Sequence, residues 1–479
     1  MIVESSNSRH YECCIIGAGP AGLGAALELN KNGITDIVLI DKNSLVGGLS
    51  RTTILDNARF DIGPHRFFTK NKEINKIWHE TLGRDFRPVS RLTRIYYKKK
   101  YFSYPIKPIE LLMQFNMIEL AAIFFSFISS RLKKNTKINN YEDWIVHNFG
   151  RKLYETFFKS YTEKVWGIPC SQIGAEWAAQ RIKGLDILEI IKHALAGKRN
   201  KKIKTLIEEF GFPVLGAGQM YEAMADTVTS RGAELKLNSK VIRYNRKDNT
   251  INSIDLIDAF GKEVTISASH FFSSIPMAHF FKMLTPADSE EINAAAGMLR
   301  HRDHIAVNLL IKKAPLFPDQ WIYIHSPDLQ MARVTNYNNF SRAMVKDNNK
   351  TALSVEYFVF KDKGLWNQTD DSLAQLAEHE LIEAGLLEKN EVEKAWVVRS
   401  TEAYPVYDSG FQKYHALLKS RIDGFSNFYS IGRGGTHKYN NMDHALLGGI
   451  FAARNYLKAA GSPYSLWDIN SDGGYLEGG

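Results

Sequence analysis

Disulfides, structural metals and export signals have little to build on in this chain. Its 479 residues include three cysteines, two of them adjacent at Cys13 and Cys14 inside an apolar run. No disulfide framework can form from these, and with no CxxC pair or Cys/His cluster no metal is expected. A reducing, cytoplasmic setting fits that usage. The N-terminus reads MIVESSNSRHYE, polar and acidic, without the charged-then-apolar order of a secretion signal. No apolar run reaches the roughly 18 to 20 residues needed to cross a bilayer. The greasiest, Met117 to Ser129, includes Glu119 and reads as a buried helix. Its basic flanks, Lys98 to Lys100 and Arg131 with Lys133 and Lys134, admit a weak contact with an anionic membrane surface, against the alternative of a solvated charge run. Charge of one sign is also scarce: 61 Lys and Arg against 52 Asp and Glu leave +9, compatible with anionic ligands but far from a nucleic-acid scaffold. There is no internal repeat and no low-complexity tract.

What is present is a globular composition, 44% hydrophobic and 24% charged, long enough for roughly three domains. The segment ECCIIGAGPAGLGAALELNKNGITDIVLIDK reads strand, glycine turn, helix, strand, which is one βαβ unit. From about 105 the text turns helical, through IELLMQFNMIELAAIFFSFISSRL, YEDWIVHNFGRKLYETFFKSYTEKVW and AEWAAQRIKGLDILEIIKHALAG. Turn, helix and strand signals return after the basic stretch GKRNKKIK. Between about Asp303 and Ser400, runs such as HIAVNLLIKK, DQWIYIHS and TALSVEYFVF read as antiparallel strands with polar groups on one face. The expected architecture is α/β: a dinucleotide-binding Rossmann-type domain over 8–104, 205–300 and 425–462, a helical insertion over 105–204, and an antiparallel-sheet substrate domain over 301–424.

Gly17, Gly19 and Gly22 follow a strand and open a helix. The first permits the tight turn, the second lets a pyrophosphate approach the backbone, and the third lets helix and strand pack closely. The helix N-terminus adds N–H donors and partial positive charge. Asp41 lies 19 residues past Gly22, at the end of the next strand, where an acid can accept from ribose hydroxyls and would repel a 2′-phosphate. A second glycine turn, Gly47 and Gly48, is followed by Arg51, a further anion contact.

The phrases IDK and VGGLSRT, then FDIGPH ending at His65, resemble the flavoprotein superfamily of amine oxidases, protoporphyrinogen oxidase, phytoene desaturases and UDP-galactopyranose mutase, which implies FAD. Four further segments, spread over nearly the whole chain, are similar to UDP-galactopyranose mutase, particularly its eukaryotic branch. They are GPH at Gly63 to His65; YTEKVWGIP with Tyr161, Lys164 and Trp166, followed by Arg181; WIYIHSPDLQMARVTNYNNFS with Tyr323 and Arg333; and IGRGGTHKYNNMDHA with Arg433, Tyr439 and Asp443. VEYF around Glu356 and AYPVYD around Tyr404 echo family strands as well. The chain departs from the compared branch where Gly435, Thr436 and His437 precede Lys438 and Tyr439. That departure leaves the sugar open, and no segment reports a uracil pocket.

The resemblance implies an isomerase, a sugar mutase of cell-surface polysaccharide biosynthesis that interconverts pyranose and furanose forms of a nucleotide-diphosphate sugar through a reduced-flavin N5 adduct. NAD(P)H would be the external reductant, visiting the same cleft. His65, Arg181, Arg333 and Tyr439 would be catalytic, and Tyr161, Trp166, Tyr323 and Tyr404 would bind substrate. Gly17, Gly19, Gly22, Asp41, Gly48, Arg51, Gly63, Val241, Arg433 and Asp443 would hold the cofactor. Two guanidiniums suit a diphosphate by charge-assisted, bidentate bonds. Bland readings stand beside these: His65 as a hydrogen-bonded core residue, Trp166 as core filler, each arginine as an ion-pair partner. The rival functions are an FAD-dependent oxidoreductase of the amine oxidase, protoporphyrinogen oxidase or desaturase type, and a non-catalytic flavin-binding scaffold.

Overall fold

The computed structural model describes residues 9–104, 106–132, 137–175, 208–361, 363–458 and 464–470. The opening unit is as expected: β1 (His10–Ile16), α1 (Pro20–Lys31) and β2 (Ile37–Ile40). β1 pairs in parallel with β2 on one side and with Glu263–Ser273 on the other. The sheet so formed has eight strands, and Phe428–Ser430 returns from far along the chain to pair in parallel with Glu263–Ser273. Alternate residues of the central strands enter different cores. Cys13, Ile15 and Leu39 face the layer of α1 and the C-terminal helix Met442–Tyr456, whereas Cys14, Ile16, Val38 and Ile40 face the opposite layer. Coverage of both faces explains why Cys13 to Ile16 and Ile37 to Ile40 are apolar throughout.

The second sheet has seven strands, in the order Val392–Pro405, His301–Ile311, Thr351–Val359, Arg333–Asn336, Trp321–Ile324, Thr93–Tyr97 and Lys100–Ser103. One point differs from the sequence reading and one adds to it. The strands at 93–103, read as part of the first domain, pair in this sheet, and Thr93–Tyr97 does so in parallel with Trp321–Ile324. Short strands of this kind carry no local mark of which sheet they join. The second is an addition rather than a correction: the polar groups expected on one face of the sheet are buried. Ile305, Val307, Leu309, Leu353 and Val355 pack under the helix Asp370–Glu383, while His304, Asn308, Ser354 and Glu356 alternate with them onto the other face and are equally buried.

The helices between 106 and 166 form a layer whose core also takes in aromatic residues of the seven-stranded sheet. The helix Met117–Leu132 corrects an expectation: it was read as buried, but Phe127 is its one buried residue. Only the Leu120, Ile123 and Phe127 side packs inward, and no element among the described residues covers the rest. None of the described helices is long and apolar enough to cross a membrane. Arg181 and the stretch around it lie outside the described residues.

Candidate active site

A cavity of about 480 Å³ runs from the β1–α1 turn to the polar face of the seven-stranded sheet. At its first end the wall is backbone. Gly17 has φ +102, and a Cβ there would stand 2.0 Å from Ser274 Oγ; one on Gly22 would stand 1.9 Å from the Gly17 carbonyl oxygen. These collisions are why the turn needs glycine. The Gly19 and Gly48 backbones face each other, and α1 opens at Gly19 without a side-chain cap, so its N-terminus faces the cavity. Asp41 lines the cavity, but its carboxylate first ties the turn together. Oδ2 accepts from Ala18 N at 2.8 Å, and Oδ1 accepts from the Asn43 backbone and side-chain amides, each at 2.8 Å. Arg51 donates to the Gly48 carbonyl at 2.8 Å, and its burial pulls its pKa down. Val241 also lines this end. Gly22 and Asp443 stand behind the wall, Asp443 buried in the first turn of the C-terminal helix.

At the other end the wall is side chains, and sheet register explains their meeting. Tyr323 pairs with Arg333, Arg333 with Glu356, and Glu356 with Ala306, one row across four strands. The ten residues from Tyr323 to Arg333 thus bring the two directly opposite each other. Arg333 grips Glu356 in a bidentate pair, Nε to Oε1 at 2.7 Å and Nη2 to Oε2 at 2.5 Å. Glu356 also receives His304 Nε2 at 2.8 Å and Thr335 Oγ1 at 3.2 Å. Burial alone would push the Glu356 carboxyl up; Arg333 and then His304 hold it down at about 2. Arg333 opposes its own burial by the same pairing and stays charged. The ion-pair reading of Arg333 is therefore correct, and it is compatible with ligand binding. The pair uses the Nε–Nη2 edge of the guanidinium, and Arg333 lines the cavity.

His65 stands where the two ends meet. Its Nδ1 is buried and has no hydrogen-bond partner among the described residues. Burial, reinforced by Arg433 and Arg333, drives its pKa to about 3, so the imidazole is neutral. Gly63, at φ +83, brings the chain past the ion pair: a Cβ there would lie 3.0 Å from both Arg333 Nη2 and Glu356 Oε2. Tyr404 and Tyr439 stack at 5.5 Å and line the same end. Burial, and then Tyr439, pushes the Tyr404 hydroxyl up to about 12. Arg433 lies over both rings, at 5.1 and 4.7 Å, and donates to the carbonyls of Ala403 and Asn440. It fastens the C-terminal loop carrying Tyr439 to the strand carrying Tyr404.

Two residues expected to touch substrate stand behind the wall. Tyr161 meets Tyr323 edge-on at 5.3 Å and stacks on His325 at 4.7 Å, and Trp166 meets Tyr404 edge-on at 6.4 Å. Neither lines the cavity. Lys164, between them, donates to the carbonyls of Ile324, Ser326 and Met331 and clamps the turn that joins the strands of Tyr323 and Arg333. Burial lowers its pKa to about 8. The sequence reading did not place His304 in the site. The alternation in HIAVNLLIKK carries the signal, since it sets His304 and Asn308 on the face opposite Ile305 and Val307. Arg66 also lines the cavity without having been singled out.

Residues 15–81 match the model of the NAD(P)-binding Rossmann-like domain. Among curated proteins, the probable UDP-galactopyranose mutase of Klebsiella pneumoniae is 27% identical over 223 residues, 44% of this chain, and the chain spans about half of that relative, 52% of its length. Among solved structures, that of a reduced UDP-galactopyranose mutase superposes with a TM-score of 0.82 at 20% identity, covering 98% of both chains. A putative protoporphyrinogen oxidase from Exiguobacterium sp. 255-15 superposes at 0.68 and 14% identity, over 93% of this chain and 99% of that one. The chain thus has a Rossmann-like dinucleotide-binding unit set within the fold of UDP-galactopyranose mutase, a fold it shares with the putative protoporphyrinogen oxidase.

Proposed function

We propose that this protein is an FAD-dependent sugar mutase that interconverts pyranose and furanose forms of a nucleotide-diphosphate sugar. The observation that carries the reading is the cationic, phenolic end of the cavity: Arg333 with Tyr323, Tyr404 and Tyr439, beside His65. An apolar cage would suit an oxidase of a greasy substrate; a guanidinium ringed by hydroxyls suits a departing diphosphate. FAD fits the opposite end. The glycine turn leaves room for phosphates against backbone amides, the open start of α1 offers its dipole, and His65 Nδ1 is a buried polar atom in need of a partner.

Bound and reduced, FAD would supply the nucleophile that displaces the diphosphate from the anomeric carbon, with no net redox change and NAD(P)H as the external reductant. The chain's own residues have distinct tasks. Asp41 holds the turn and faces the ribose. Arg333, held by Glu356, binds diphosphate oxygens through its remaining N–H groups, and Arg181 would join it. Tyr323, Tyr404 and Tyr439 donate to the sugar and phosphates. Tyr161, Trp166 and Lys164 fix those tyrosines in place. Neutral His65 can accept or donate a single hydrogen bond at the meeting point.

The test is turnover under anaerobic conditions with UDP-galactopyranose. Ring-isomerised product should form only after dithionite reduction, and on return to air any peroxide should be limited to reoxidation of the reductant and of the bound flavin, without scaling with the amount of substrate turned over. Oxygen consumption without prior reduction would select the amine oxidase, protoporphyrinogen oxidase or desaturase reading. A flavin spectrum indifferent to UDP would select the scaffold.

A further inference from the structure

The helical layer carries a surface that the sugar-nucleotide reading does not use. Of the exposed large apolar side chains among the described residues, nine lie between Ile109 and Leu132, on the consecutive helices Pro108–Gln114 and Met117–Leu132. Met113, Met117 and Ile118 are 79, 78 and 82% exposed, Phe125 68% and Leu132 73%. On the longer helix the exposure is organised. Ile118, Ala122, Phe125, Ser129 and Leu132 recur at helical spacing along one outward stripe, opposite the inward Leu120, Ile123 and Phe127. An apolar patch of this size on a protein surface marks a contact.

The charges around it indicate which contact. Across 98–132 the most exposed charged residues are Lys98, Lys99, Lys107 and Arg131, while Glu110 is half-buried and the Glu119 side chain is about as exposed as that of Lys100 beside it. The two acids of the stretch are occupied. Glu110 accepts from Ser103, while Glu119 caps Asn116 and lies 4.0 Å from Lys100. The turn bearing Lys98 and Lys99 is pinned to the shorter helix by Lys100, whose ammonium donates to the Gln114 carbonyl at 2.5 Å. A two-fold copy of this patch would set cation against cation around the apolar centre, whereas an anionic lipid surface complements both features. The 16 residues of the longer helix, at about 1.5 Å each, extend about 24 Å, short of the ~30 Å hydrocarbon core, so the helix suits lying in the interface rather than crossing it.

We propose that the helices spanning 109–132 form a docking face for an anionic bilayer, with Ile118, Phe125 and Leu132 entering the headgroup boundary and the lysines and Arg131 resting on the lipid phosphates. The inward side of the same helix, through Leu120 and Ile123, joins the hydrophobic core that also takes in Tyr323, Tyr404 and Tyr439.

The test uses the full chain and sucrose-loaded vesicles of phosphatidylcholine alone or with 30 mol% phosphatidylglycerol. The wild type should pellet with the anionic vesicles and remain in solution with the neutral ones. Ile118→Gln with Phe125→Gln should weaken anionic binding more than tenfold, and Lys98→Glu with Lys99→Glu several-fold, the latter deficit shrinking as salt rises. Should the first variant fold poorly, amide exchange of the wild type remains decisive: vesicles should slow exchange within 109–132. Three results would overturn the proposal. One is no pelleting with anionic vesicles. A second is full exchange protection of 109–132 without lipid, which would mean that this chain covers the face itself. The third is a dimer in light scattering that Ile118→Gln with Phe125→Gln dissolves, which would assign the face to a second copy.

Discussion

At the Gly17 end of the cavity the ligand would meet mainly the main chain of the βαβ unit and of the glycine turn after it, with Val241 and Ser274 joining from elsewhere; at the Arg333 end it would meet side chains from strands scattered between 301 and 405 and a loop near 439. The first end owes its shape to missing Cβ atoms, the second to a buried ion pair. They should therefore fail differently: the backbone end by collision, the side-chain end by loss of charge balance. Glu356→Ala should be the most damaging single change, because it strands the Arg333 guanidinium without its partner inside the protein. We expect a loss of about 3–5 kcal/mol in urea unfolding, whereas a surface-like loss below about 1 kcal/mol would place the pair outside the structural core. At the other end, Gly22→Ala drives a Cβ toward the Gly17 carbonyl oxygen. Its expected cost is about 1–3 kcal/mol, accompanied by loss of flavin absorbance from the purified protein. Retention of full flavin would break the claim that this turn is the cofactor cradle.

Arg333→Lys keeps a charge for Glu356 while removing the planar fork, so it separates the structural role of the pair from its ligand role. Titration with UDP should show affinity lower by about 1–2 kcal/mol with little change in unfolding midpoint. If stability falls and affinity does not, Arg333 serves the fold alone. The two ends meet at His65, and pH addresses that junction. Its folded pKa of about 3 lies below the ordinary 6.5, so the unfolded chain binds the proton first as pH falls. Its contribution to stability is complete above about 6.5 and is lost on acidification toward 3, whereas that of Glu356 persists until pH drops below 4.5 and then declines toward 2. His65→Gln should lessen the stability loss between pH 6.5 and 4.5 by up to about 1.4 kcal/mol per pH unit, measured by urea titration at each pH. Smallest of all, Tyr439→Phe removes one donor from the polar end and should weaken UDP binding by about 0.5–1.5 kcal/mol without moving the flavin spectrum of the free protein.

The same contrast explains what could be read from the amino-acid order. The β1–α1–β2 unit was legible because its signals are local: an apolar strand, glycines at set spacing, an acid at the next strand end. Tyr323, Arg333, Tyr404 and Tyr439 were reached through a resemblance, and their convergence depends on sheet register for the first three and on the fastening of a distant loop by Arg433 for Tyr439, neither of which a local pattern encodes. Glu356 was noticed only as part of an echoing strand. That its charge neutralises Arg333 required knowing that residues 333 and 356 are paired across two strands. Tyr161 and Trp166 show how far a motif reaches. A motif placed them at the site, but which side of the aromatic wall they occupy is set by packing against His325 and Tyr407. The helix Met117–Leu132 was read as buried because apolar content was taken as burial, although the outer half of its surface has nothing packed on it among the described residues.

The reading rests on one spatial claim: a reduced isoalloxazine lies at His65, facing a diphosphate held by Arg333. A crystal structure of the dithionite-reduced protein soaked with UDP tests it most directly. The expected density shows the flavin ring beside His65 and the diphosphate within hydrogen-bonding distance of the Arg333 guanidinium. A diphosphate bound elsewhere, with Arg333 touching Glu356 alone, would contradict it.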